Sequence, residues 1–178
     1  PYGAGGVAIR SLARLADRGI VFDHAVGTAP MTGRTRASLL SGLFPCRHGV
    51  RNDQAHSISD ASAAVTEWLS DAGYRTAAFV SAVVLEGRFG FDQGFDTYDD
   101  DLRSPGGGGL SPKIPERSAE ATADRAIAWL DGLTSDQPFF LWVHFYDPHT
   151  PYSPPSPWAE KFRDRPYDGE IAYMDSQI

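Results

Sequence analysis

Two short segments of this chain concentrate side chains that could act on an anion. The first is Ala29-Pro30-Met31-Thr32-Gly33-Arg34-Thr35-Arg36-Ala37-Ser38-Leu39-Leu40-Ser41-Gly42-Leu43-Phe44-Pro45. It sets hydroxyls and two arginines at the start of a predicted helix, where backbone N–H groups and the helix dipole favour negative charge. Arginine adds a two-pronged clamp for a tetrahedral oxyanion. The competing reading is structural: Thr32 or Thr35 caps the helix and the arginines lie in solvent. The second segment, His144-Phe145-Tyr146-Asp147-Pro148-His149-Thr150-Pro151-Tyr152, ends a predicted strand in two histidines and a carboxylate stiffened by prolines. A histidine there can donate to a substrate oxygen or protonate a leaving group. Its structural alternative is a rigid turn around a hydrogen-bonded imidazole.

The elements that must hold these segments follow from periodicity and turn residues. Ile9–Arg18 reads as an amphipathic helix with Ile9, Leu12, Leu15 and Ala16 on one face, ended by Gly19 in a left-handed cap. Ile20–Phe22 reads as a short strand, and Arg34–Ser41 as a helix closed by Gly42. Ala63–Ala72 is a helix with the stripe Val65, Trp68 and Leu69, ended by Gly73, and Thr76–Val80 is a buried strand. The Gly- and Asp-rich stretch Leu85–Asp101 reads as loop. Ser104–Pro115 is richer still in Gly and Pro, so 103–117 is expected to be a flexible surface excursion. Ser118 caps a helix reaching Leu133, with Ala121, Ile127 and Leu130 inward. Pro138–Phe145 is an apolar strand of the kind covered on both faces. Five prolines exclude regular structure from Pro148 to Pro157, and Asp168–Ile178 begins another helix. Alternation of strands and helices predicts an α/β fold, a mainly parallel sheet with helices on both faces and reactive loops beyond the strands' carboxyl ends.

Composition narrows the classes. The 178 residues are 42% hydrophobic and 22% charged, which suits a globular domain with a real core. A net charge of -7 argues against a broad nucleic-acid surface. No apolar run is long enough to span a bilayer. Cys46 is the single cysteine, so no disulfide forms within the chain. No compartment follows from any of this.

Thr32–Pro45 resembles the signature of the sulfatase family, within the alkaline phosphatase superfamily: Cys (or Ser)-x-Pro-x-Arg, then Ala-Ser-Leu-Leu-Thr-Gly and Tyr-Pro. The resemblance continues in family order through Arg47-His48-Gly49-Val50, Gly73-Tyr74-Arg75-Thr76-Ala77, Gly94-Phe95-Asp96, Pro138-Phe139-Phe140-Leu141, Asp147-Pro148-His149-Thr150-Pro151-Tyr152, and Tyr167 to Asp175. It implies an alkaline-phosphatase-like sheet and a metal-dependent hydrolase of sulfate or phosphate/phosphonate esters. The substrate would be a small-molecule or glycan ester. The family's nucleophile position falls on Thr32, its signature arginine on Arg36, and its anion-contacting histidine on His149.

The departures are chemical. Sulfatases oxidise the signature cysteine to formylglycine, and Thr32 cannot be that precursor; Arg34 also replaces the signature proline. Neither Cys46 nor Ser38 is followed by the required Pro and Arg, so no formylglycine is expected. Threonine can still attack phosphorus when a metal lowers its hydroxyl pKa. A Thr phosphoester can be opened by water, whereas a Thr sulfate lacks the hemiacetal exit, which tilts the reading toward phosphate or phosphonate. Thr35 and Ser38 stand as fallback nucleophiles. Ser81, Ala82 and Val83 occupy the place where many members carry Lys and His. The resemblance implies a divalent cation, calcium first with manganese or zinc as alternatives, to which Thr32 is the one family ligand position present. The acidic ligand segments are expected outside residues 1–178, which read as a partial catalytic domain with an incomplete sheet and no appreciable activity or robust stability of its own. Asp99-Asp100-Asp101 is expected to be a solvated turn rather than a metal site. A phosphotransferase and a degenerate, sulfatase-like binding module are the alternatives.

Overall fold

The computed structural model describes residues 7, 9–52, 58–59, 62–102, 115–134 and 136–178. Three strands form one parallel sheet in the order β2-β1-β3, with β1 Arg75–Val80, β2 Thr97–Asp99 and β3 Phe139–His144. The central strand β1 pairs along its full length with β3, from Arg75↔Phe139 to Val80↔His144. Its Ala-rich run is covered on both sides: Ala77, Ala78 and Val80 are inaccessible to solvent. This is the α/β architecture expected from the sequence.

Helices cover both faces. On one, α2 (Thr32–Ser41) and α4 (Val65–Asp71) close over Val80, Leu85, Phe91, Phe95 and Trp142. On the other, α5 (Ala119–Asp131) packs Ala126 and Trp129 against Phe79, Leu141 and Val143. Alternation along β3 therefore sends Trp142 toward α2 and its neighbours Leu141 and Val143 toward α5. Each fully buried side chain such as Leu85 or Phe91 contributes roughly 1.5–3 kcal/mol. The remaining helices are α1 (Arg10–Arg18), α3 (Pro45–His48), α6 (Trp158–Lys161) and α7 (Pro166–Ser176). The Asp175 carboxylate on α7 accepts from Ser11 N and Leu12 N at 3.1 and 2.9 Å, capping α1 from outside.

Two signature segments dock by close backbone approach. Gly94 sits at φ +75, and a Cβ there would lie 2.5 Å from Glu67 N, so only glycine lets this turn meet the start of α4. Gly169 does the same for α7 and the proline segment, since a Cβ would come within 2.8 Å of the Pro154 ring.

Several expectations need correction. Ile20–Phe22 is no strand: Ile20 and Phe22 are 83% and 73% exposed, because a strand needs a neighbour for its hydrogen bonds and none lies beside it among the described residues. Gly19 ends α1 with φ -127, extended rather than left-handed. Leu85–Asp101 is not all loop, since it holds the 3-10 turn Gly87–Phe89 and β2. Trp68 and Ile127, expected inward, are largely exposed; α5 is turned instead by the Ser81–Thr122 hydroxyl pair at 2.6 Å. Asp99 is no solvated turn residue but the end of β2, paired with Arg117 and Arg125 at 2.7 Å each. Of segment 103–117, residues 103–114 lie outside the described residues, and Arg117 at its end is buried.

Candidate active site

The first segment forms the amino end of α2. Thr32 is its first residue, and Met31 before it is extended and supplies no side-chain cap. Three hydroxyls of this helix are committed. Thr35 Oγ1 donates to Ala29 O at 2.6 Å, and Ser41 Oγ to Ala37 O at 2.6 Å. Ser38 Oγ lies 3.0 Å from His48 Nε2. His48 Nδ1 accepts from Val50 N at 3.2 Å, so the ring proton sits on Nε2 and donates to Ser38. Burial holds His48 below the usual histidine range, which favours this neutral tautomer. His48 therefore cannot act as a base toward Ser38. The Thr32 hydroxyl makes no hydrogen bond among the described residues, so neither it nor Thr35 caps the helix. Arg36, one turn later, is half-buried and forms no ion pair among the described residues; burial lowers the pKa of its guanidinium. It lines a cleft of about 390 Å³ with Thr35, Gly27 and Thr28.

The second segment continues β3. His144 is 9% exposed, stands edge-on to Trp142 at 6.2 Å, and has no partner for Nδ1. Burial, and then the nearby charge of Arg36, push its pKa down to about 4, so the ring is neutral at pH 7. Tyr146 packs on the same core as Ala37 and Leu40 of α2 and stacks on His149 with ring centres 4.2 Å apart. His149 is exposed. Its Nδ1–H donates to Thr150 O at 2.8 Å, which leaves Nε2 as the acceptor, 3.4 Å from Tyr146 Oη. Burial and Glu116 push the Tyr146 phenol up to about 12, so it stays a donor.

The turn itself is held from α7. Glu170, buried under the turn, accepts from His149 N at 3.0 Å and Ser153 N at 2.6 Å. Asp147 accepts from Ala119 N at 2.9 Å, in the first turn of α5. Burial raises the pKa of both carboxyl groups, opposed by these hydrogen bonds. His149, Tyr146, Asp147, Glu116 and Glu170 line a cleft of about 300 Å³. The structure thus brings Arg36 close to His144, and His149 close to Asp147. Thr32 and Arg36 do not line the His149 cleft. Sequence reasoning missed the roles of Glu170 and His144. The period-two run Trp142, His144, Tyr146 was the available signal for His144, while nothing in the spacing marked Glu170.

Beyond β1, Ser81 is buried against Thr122 and Ala82 is buried too, so neither offers a side chain to an anion. Among the described residues no group of three or more His, Cys, Asp or Glu could hold a metal ion. A hard cation takes six or more oxygens, so the donors described do not fit one by themselves. No helix among the described residues is long and apolar enough to cross a membrane.

A parallel sheet with helices packed on both faces makes this an α/β protein. The sulfatase family profile matches residues 2–178, and the chain belongs to that family. It is 27% identical over 165 residues to an N-acetylglucosamine-6-O-sulfatase of Bacteroides thetaiotaomicron, covering 86% of this chain and 28% of that protein. It is 24% identical over 198 residues to an arylsulfatase of Klebsiella aerogenes, covering 92% and 42%. The chain therefore spans less than half the length of these relatives. The solved structure of the phosphonate monoester hydrolase of Agrobacterium radiobacter superposes with a TM-score of 0.74 at 17% identity, covering 98% of this chain and 54% of that one.

Proposed function

We propose that the intact protein hydrolyses sulfate, phosphate or phosphonate monoesters of a small molecule or glycan, with Thr32 as nucleophile, Arg36 as oxyanion clamp and His149 as anion contact or general acid. The observation that carries this reading is the uncommitted Thr32 hydroxyl at the open end of α2, beside Thr35, Ser38 and Ser41, whose hydroxyls are all engaged. Membership of the sulfatase family and a relative named for a sugar sulfate support ester hydrolysis. In the proposed first step the Thr32 hydroxyl gives its proton to solvent and Thr32 Oγ bonds to phosphorus or sulfur as the ester P–O or S–O bond breaks. The departing alkoxide takes up a proton, from solvent or from His149 Nε2 where the bound substrate brings the two together. Water then opens the Thr32 ester and restores the hydroxyl. Arg36 stabilises the charge on the non-bridging oxygens throughout. The missing hemiacetal exit favours phosphorus over sulfur. A divalent cation, calcium first, is part of the proposal, with Thr32 as this chain's contribution and its other ligands beyond those described.

The test is turnover of aryl sulfate, phosphate and phosphonate esters by the intact protein with calcium, manganese or zinc. Thr32→Ala is expected to lower kcat by about 10⁴-fold or more, the scale seen when a covalent nucleophile is removed. Unchanged turnover in that variant would remove the mechanism.

A further inference from the structure

Under α2 the structure leaves His144 Nδ1 buried without a partner, as it also leaves Arg34 Nε on that helix. The position of His144 is fixed by strand pairing, since the Val80↔His144 register places it at the carboxyl end of β3, beside the end of β1. That is the edge of the sheet where reactive groups of parallel folds converge. Trp142 on the same strand holds the ring edge-on. An unpaired buried polar atom is rare and costly in folded proteins, and it calls for a ligand, a water or a functional role. Ser81, the next candidate at this edge, is already tied to Thr122.

We infer that His144 is the second anion contact of the Arg36 site: a neutral imidazole while the site is empty, it takes up a proton and donates to the oxyanion when a dianionic group binds. The inference rests on the proposed reading of Arg36 as an anion clamp. The physical reason is a change of sign in the local field. Without an anion, a proton on His144 would place a second buried cation beside the Arg36 guanidinium. A dianion between them replaces that repulsion with attraction to both. On α2 the charged group acting on the ring is Arg36, and β1 sets Val80 against His144. No carboxylate opposes the Arg36 charge among the described residues. The proton comes from solvent and returns there when the anion leaves.

Sulfate is the suitable probe because it remains a dianion throughout the range tested, so any pH dependence belongs to the protein. With the intact protein, sulfate affinity is expected to strengthen toward tenfold per pH unit between pH 7 and 5, with uptake of about one proton per sulfate. Proton uptake is read by calorimetry in buffers of different ionisation enthalpy. In His144→Gln the affinity loses this pH dependence and the uptake disappears. If that variant does not fold, histidine-labelled wild type serves instead: on saturation with sulfate, the His144 imidazole, one of the five histidines, must titrate at least about three units higher. Sulfate bound without proton uptake, or with His144 not so shifted, overturns the inference. Loss of binding in Arg36→Ala alongside that result leaves the clamp standing. No binding by the wild type, or unchanged binding in Arg36→Ala, overturns the clamp and this inference together.

Discussion

Two arginines mark opposite treatments of the same group. Arg117 is buried, with 2% of its side chain exposed, and each of its three nitrogens is engaged. It donates to Asp99 Oδ1 at 2.7 Å, Val80 O at 2.8 Å, Thr122 Oγ1 at 3.2 Å and Asp99 O at 3.2 Å. Arg125 adds a second bond to the same carboxylate. These two guanidinium groups hold Asp99 below the usual carboxylate range against the opposing effect of burial. Arg36 is also partly desolvated, yet it has no carboxylate partner among the described residues, and the imidazole beside it is neutral with Nδ1 unpaired. A saturated buried ion fastens β2, the end of β1 and the start of α5 together, leaving nothing for a ligand. An unsaturated one holds a cost in the empty protein that an incoming anion offsets.

This contrast can be broken at four points. The largest effect is expected at Arg117. Arg117→Met leaves Asp99 buried with only Arg125, so denaturant unfolding should show a loss of about 3–5 kcal/mol; a loss below about 1 kcal/mol would mean the network is not a fastening. Next is acid lability from His144. Its folded pKa of about 4 lies below the unfolded value of about 6.5, so the unfolded chain binds more protons between them. The associated stability is full above about pH 6.5 and falls as the pH drops toward 4, by roughly 3 kcal/mol. Urea unfolding at pH 7 and 4.5 should show His144→Gln losing less stability than wild type; equal losses contradict the neutral buried ring. Third, Arg36→Lys keeps the charge but not the fork, so kcat/KM should fall about 100-fold with little change in unfolding free energy. A fall in stability instead would make Arg36 a second fastening. Smallest is Arg125→Ala, a partly exposed pair whose loss should cost under about 1 kcal/mol.

The fold was largely legible because its signals are local. The apolar runs of β1 and β3, the Ser118 cap (Ala121 N donates to Ser118 Oγ at 3.3 Å) and Gly42 at φ 68 are each decided within a few residues. β2 was missed because Asp99 reads as a turn former, and its strand conformation depends on arginines 18 and 26 positions away. Ile20–Phe22 was over-read for the converse reason, since local propensity cannot supply a pairing partner. Within the candidate site, Thr32, Arg36 and His149 came from the motif. What separates Thr32 from Thr35 and Ser38 is hydrogen bonding to Ala29 and His48, a tertiary fact that the sequence lists without ranking. The burial of His144 was equally invisible, because it depends on α2 lying over β3.

The most direct measurement is to quench the intact protein during turnover of a phosphate or phosphonate monoester and locate the bound group by peptide mass. The account predicts a phosphoryl or phosphonyl adduct on Thr32, building up when hydrolysis is slowed and absent in Thr32→Ala. An adduct on Thr35, Ser38 or any other residue, or turnover that persists in Thr32→Ala, would contradict it.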